Sequence, residues 1–140
     1  MNCQFAFAVH VLSVMALDSD RPQSSGKLAV SVNTNPVVIR RLLLDLSKNG
    51  LVVTARGSEG GSKLARPADQ ISLADIYRAV AEDTRPFDVH PRPPDEACPV
   101  GRQIKRVLDE VGQRASSAVE REYEAISLAQ IVREMNGAPA

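Results

Sequence analysis

Two adjacent arginines, Arg40 and Arg41, lie inside the stretch NPVVIRRLLLDLSKNGLV (residues 35–52), an otherwise apolar run brought to a stop by Asn49 and Gly50. A guanidinium is a planar fork of N–H donors that matches guanine edges and phosphates, and it is costly to bury unpaired. The pair must therefore face outward. Other residues with chemical potential are sparse. Cys3 and Cys98 are far apart and form no C-x-x-C motif, so one chain can build neither a disulfide scaffold nor a four-cysteine zinc site. Both are expected as reduced thiols. His10 and His90 do not complete a three-ligand metal set with Cys98, and no metal or cofactor is expected. The acids are scattered, with no paired nucleophile and base, so the chain does not read as an enzyme.

The formal net charge is zero, but the charges are segregated. Residues 21–67 hold eight basic groups (Arg21, Lys27, Arg40, Arg41, Lys48, Arg56, Lys63, Arg66) against Asp45 and Glu59. Residues 68–140 hold nine basic and thirteen acidic groups. One segment is suited to phosphate and the rest is not. No run approaches the roughly 18 apolar residues of a membrane span, and the start lacks the features of a signal peptide, so a cytoplasmic location is expected.

The elements that must hold the arginines follow from periodicity. Phe5, Ala8, Val9, Leu12, Met15 and Ala16 recur at helical spacing, predicting an amphipathic helix over 2–17. Ser24 or Ser25 can cap a short helix through Val32, with Leu28, Ala29 and Val32 facing inward. Asn33-Thr34 is a tight turn. Asn35 is an N-cap with Pro36 at the first helical position, and Ile39, Leu42, Leu43 and Leu46 form the core stripe of a third helix. Val37, Val38, Arg40, Arg41, Leu44 and Lys48 are left outside that stripe or at its margins. Two short helices joined by a tight turn make a helix-turn-helix, whose second helix fits the DNA major groove. Residues 51–56 and 63–66 then read as the strands of a β-hairpin wing around a Gly-rich loop. Arg56, Ser58, Ser62 and Lys63 on that wing, and Ser25 at the start of the second helix, join the candidate DNA contacts.

Ser72 caps a fourth helix, from Leu73 to about Asp83. Residues 84–99 contain five prolines and no periodicity, predicting a loop. From Pro99 a long helix of about 25 residues is expected, carrying Val100, Ile104, Val107, Leu108, Val111, Ala115, Ala118 and Val119. That stripe exceeds what a winged unit of about 80 residues can cover, so Val100, Ile104, Val107, Leu108, Val111 and Ala115 are the expected interface with a second copy. The alternative is a helix folded back on its own domain. Ile126-Ser127-Leu128-Ala129 repeats Ile71-Ser72-Leu73-Ala74, as expected of two similarly capped helices. Cys98, just before the long helix, is a candidate redox sensor, with a small packed cap residue as the alternative. The expected organisation is mainly α with a small β-hairpin: a winged helix-turn-helix over 1–83, a proline-rich loop over 84–98, and dimerisation and C-terminal helices over 99–140.

Several stretches taken in order resemble one family. They are Ala8-Val9-His10-Val11-Leu12, Asn35-Pro36-Val37-Val38-Ile39-Arg40-Arg41-Leu42, Arg56-Gly57 with Gly60-Gly61, Leu64-Ala65-Arg66-Pro67, Ile71-Ser72-Leu73, and Cys98-Pro99-Val100-Gly101. Their order and spacing are similar to those of the Rrf2 family of winged helix-turn-helix transcriptional regulators. The resemblance implies a bacterial homodimeric regulator, usually a repressor, whose long helix crosses between subunits. It also implies that Asn35, Val37, Val38, Arg40, Arg41 and Arg56 touch double-stranded DNA. Well-studied branches of the family hold an iron-sulfur cluster on three cysteines before the long helix. This chain offers only Cys98 there and so resembles the cluster-free branch. The competing expectation is a winged helix used for protein binding alone, because the fold does not by itself prove DNA contact.

Overall fold

The computed structural model describes residues 3–55 and 60–137. Helix α1 covers Gln4–Leu17, α2 Ser25–Val32 and α3 Pro36–Lys48; strands β1 (Val52–Ala55) and β2 (Gly61–Leu64) form an antiparallel hairpin. A 3-10 turn at Ala68–Gln70 leads into α4 (Leu73–Val80), followed by the long α5 (Pro99–Glu124) and α6 (Leu128–Met135). The chain divides into two compact units, one of residues 1–81 with 123–140 and one of residues 82–122.

In the first unit the helical periodicity becomes a core. Ile39, Leu42, Leu43 and Leu46 of α3 are buried, together with Ala8, Val11, Leu12 and Met15 of α1, Leu28 and Ala29 of α2, and Ile71, Leu73 and Ile76 around α4. The ends of α2, α3 and α4 are closed by the chemistry the sequence supplies. Ser24 accepts a hydrogen bond from the Lys27 N–H, and Asn35 Oδ1 accepts one of 2.8 Å from Val37 N–H. Asn33 adopts a left-handed φ of 66° in the turn before α3, and Gly50 does so at 73° after it. Ser72 and Asp75 form a reciprocal capping box on α4.

Three boundaries differ from the sequence reading, each for a physical reason. Helix α4 ends at Val80 rather than near Asp83. The Asp83 carboxylate accepts hydrogen bonds from the Arg85 backbone N–H and guanidinium, a local turn that competes with the helix. Strand β2 begins at Gly61 rather than Lys63, because Ser62 exchanges two backbone hydrogen bonds of 2.8 Å with Gln23 on the segment before α2. A Cβ on Gly61 would lie 2.6 Å from the Gln23 carbonyl oxygen, so that approach requires glycine. The third difference concerns α6, which packs with α1 in the first unit although the sequence reading grouped it with the long helix.

The repeated tetrapeptide explains that return. Ser72 and Ser127 face each other in an isolated antiparallel bridge, with Leu73 N–H donating to the Ile126 carbonyl (2.9 Å) and Leu128 N–H to that of Ile71 (2.8 Å). Each serine also caps the helix that follows it. Beside the bridge, Phe5, Tyr77 and Tyr123 form an aromatic trio with ring centroids 5.2–5.7 Å apart. Arg78 pairs with Glu124. Leu128 is fully buried, so the core of the first unit includes a residue from the far end of the chain.

In the second unit, residues 84–98 contain no helix or strand, as the prolines require. Gly112 is the buried residue of α5, with Phe87 and Pro86 beside it, and Ser116 Oγ donates to the Thr84 carbonyl. A Cβ on Gly101 would lie 2.2 Å from the Asp95 carbonyl oxygen, which fixes glycine in the first turn of α5. Val100, Val107, Val111 and Val119 remain exposed.

Candidate nucleic-acid interface

The third helix owes its outward face to its inward one. With Ile39, Leu42, Leu43 and Leu46 committed to the core, helical geometry leaves Arg40, Arg41 and Leu44 in solvent. Val37, at the N-terminal end, is 56% exposed, and Val38 is half-buried. Neither Arg40 nor Arg41 has an acidic side chain within ion-pair distance among the described residues. An arginine without an internal carboxylate keeps its N–H donors for an external acceptor. Asn35 is exposed, and its side-chain carbonyl oxygen serves the cap.

Not every nominated residue fits this surface. Ser62 is only 2% exposed; its backbone bonds to Gln23 and its hydroxyl lies 3.4 Å from that of Thr54, so, contrary to the expectation from hairpin spacing, its side chain is not open to DNA. Long-range pairing to Gln23 buries it, which hairpin spacing alone does not reveal. Lys48 is exposed but sits in the last turn of α3, where a cation complements the helix dipole without any ligand. Ser25 is half-buried and lines, with Arg40, Leu44, Thr54 and Gly61, a cleft of about 350 Å³. Lys63 is exposed on β2 opposite Val53. Arg56 and Ser58 lie outside the described residues.

The basic segment also sorts into two groups. Arg21 is paired with Asp18 at 3.5 Å and Arg66 with the capping carboxylate of Asp75 at 3.3 Å, so both have structural partners. Lys27, which spacing did not single out, is exposed in the first turn of α2. Its signal in the sequence was its place in the basic segment, not a motif.

Cys3 and Cys98 are both exposed thiols. The Cys98 N–H donates to the Asp95 carbonyl, and its own carbonyl accepts from Arg102 N–H at the start of α5. Its exposure departs from the alternative of a packed cap residue. Among the described residues, no three His, Cys, Asp or Glu side chains converge on a position that could hold a metal ion. No described helix is long and apolar enough to cross a membrane.

Residues 1–134 match the Rrf2 family, described as "Iron-dependent Transcriptional regulator". Among the described residues no set of side chains fits the iron of that description. YwnA of Bacillus subtilis, which carries the name of an HTH-type transcriptional regulator, is 38% identical over 135 residues, covering 96% of this chain and 98% of that protein. A crystal structure assigned to a DNA-binding protein superposes with a TM-score of 0.73 at 34% identity, covering 91% of this chain and 97% of that one. One assigned to a transcriptional regulator from Lactobacillus plantarum gives a TM-score of 0.80 at 25% identity, covering 97% and 91%. A hairpin wing beside a helix-turn-helix, an outward arginine pair and a match over nearly the whole chain agree: this protein belongs to the Rrf2 family of DNA-binding transcriptional regulators.

Proposed function

We propose that the protein is a homodimeric repressor that reads a roughly palindromic operator through α3. The observation that carries this reading is the exposed Arg40–Arg41 pair, which has no internal acid partner among the described residues, on a helix whose opposite face is locked into the core. Arg40 and Arg41 supply bidentate contacts to guanine, while Asn35, Val37 and Val38 set the approach of the helix N-terminus to the groove. Lys63 on β2 and Lys27 on α2 contact phosphates and add affinity without sequence preference, and Arg56, placed by sequence alone, is assigned the same role. Ser25 is a polar contact at the margin of this surface, and Ser58 is a contact proposed from the sequence alone.

A second copy brings a second α3 related by a two-fold axis, and that symmetry passes to the DNA site. The exposed valines of α5 are the proposed contact between copies, with Ile104, Leu108 and Ala115. Action on chromosomal DNA assigns the protein to the cytoplasm. Selection of random duplex fragments by the purified protein, followed by sequencing, tests the reading. An inverted-repeat consensus is expected, and selection without any consensus would overturn base readout. Transcription in vitro from a promoter carrying that consensus should fall as protein is added; a rise would make the protein an activator.

A further inference from the structure

Val37 opens the stripe that α3 turns to solvent. Arg40, Arg41, Leu44 and Lys48 follow it at i+3, i+4, i+7 and i+11, the spacing of one helix face, and all five are exposed. A single exposed valine is ordinary on a protein surface. This one is 56% exposed and stands beside the arginine pair assigned to base readout, so it lies on the same face offered to DNA.

The chemistry of the helix start narrows what that face can read. Pro36 has no N–H, the Val37 N–H donates to Asn35 Oδ1 at 2.8 Å, and those of Val38 and Ile39 donate to the Asn35 backbone carbonyl at 3.0 and 3.4 Å. The first four residues of α3 therefore keep no unbonded backbone donor for a phosphate or a base acceptor. What this end presents to the groove is hydrocarbon. Along the base edges of the major groove the apolar group is the C5 methyl of thymine, which apolar side chains recognise by contact. Leu44, the other exposed apolar residue of the stripe, lies two turns farther on and borders the cleft beside Ser25 and Thr54, away from the helix tip. We infer that Val37 is a specificity residue, its γ-methyl groups packing on the methyl of a thymine one or two base pairs from the guanine read by Arg40 or Arg41. The separation follows from rise, since three or four residues advance a helix by about 4.5–6 Å against about 3.4 Å per base pair. The inference rests on base readout by α3 and adds to it a second base, read through dehydration and dispersion rather than hydrogen bonds.

Replacing single thymines of the selected operator by deoxyuridine tests it, because the change removes the methyl group and leaves base pairing and O4 in place. Fluorescence anisotropy with the full chain should find one position in each half-site where affinity falls about fourfold, the worth of one buried methyl-sized group. Changing both half-sites should cost about fifteenfold. Val37→Ala, at an exposed position where alanine favours the helix, should keep its circular dichroism and bind thymine and deoxyuridine duplexes alike. Arg40→Ala, the control for the reading beneath, should relax preference at guanine instead. A deoxyuridine penalty that persists in Val37→Ala would come from the shape of the duplex and would overturn the inference. The absence of any sensitive thymine, while Arg40→Ala still relaxes preference at guanine, would overturn it too and leave base readout by α3 standing. If neither variant alters base preference at any position, α3 is not the reader, and the proposed function falls together with the inference.

Discussion

Arg40 and Lys63 are both exposed cations, yet the proposed readout gives them different work. A bidentate arginine contact to guanine is worth roughly 1–3 kcal/mol of discrimination, whereas a lysine-phosphate contact carries none. Arg40→Ala is expected to flatten base preference at one operator position in each half-site. Lys63→Ala should weaken all sequences alike and lower the slope of log affinity against log salt by about one. Fluorescence anisotropy on matched and mismatched duplexes at several salt concentrations separates the two, and identical, sequence-independent losses would remove Arg40 from base readout. Cys98 yields a second expectation at this scale. If its exposed thiol senses oxidants, Cys98→Ser will abolish any loss of DNA binding caused by peroxide, and a response that persists would clear Cys98 of that role. Asp83 provides a third. The Arg85 guanidinium and backbone N–H beside it hold its carboxyl down at about 2, against an ordinary 3.8. A depressed carboxylate stabilises the folded loop above the ordinary value and loses that contribution as pH falls toward 2. An NMR titration should find that midpoint, and Arg85→Ala, which removes the guanidinium but keeps the backbone N–H, should raise it toward the ordinary carboxylate value.

Local chemistry made most elements legible. The spacing of Ile39, Leu42, Leu43 and Leu46, the Asn35-Pro36 start and the Gly50 stop define α3 with no knowledge of what surrounds it. That is why the position of Arg40 and Arg41 could be read in advance. Ser62 could not be read correctly, because its burial depends on Gln23, a partner some forty residues earlier in the chain. The return of α6 to the first unit was hidden for the same reason: the matching tetrapeptides signalled two similar caps but not that they pair. Helix α5 sits between these cases. Its length and stripe follow from periodicity, whereas the closeness of Gly112 to Phe87 requires the folded loop. Two expectations belong to these elements. Val107→Glu or Val111→Glu should give a monomer in sedimentation and remove most operator affinity, and a persistent dimer would move the contact off α5. Ser72→Ala removes one half of the α4 capping box and should lower stability by about 1 kcal/mol in denaturant unfolding; no change would mean that the bridge to Ser127 alone holds that helix start.

For the molecule as a whole, segregated charge matters more than its zero sum. Residues 21–67 hold eight basic groups against two acids, with Lys27, Arg40, Arg41, Lys48 and Lys63 exposed, so operator affinity should fall steeply with salt even though the protein has no net charge. The chain path has a further implication. Because residues 71–73 and 126–128 are stitched together, everything between Glu82 and Glu122 is an excursion that leaves the first unit before the chain comes back to complete it. Cutting the chain after residue 83 would therefore not release an autonomous reader of DNA, since Leu128 would be missing from its core. Excising the excursion is a different operation. A flexible glycine-serine bridge from Ala81 to Tyr123 would rejoin the two stretches of the first unit, whose side chains Tyr77 and Tyr123 already pack together. The product would be a monomeric miniature that binds half an operator weakly, while the shorter fragment 1–83 would unfold.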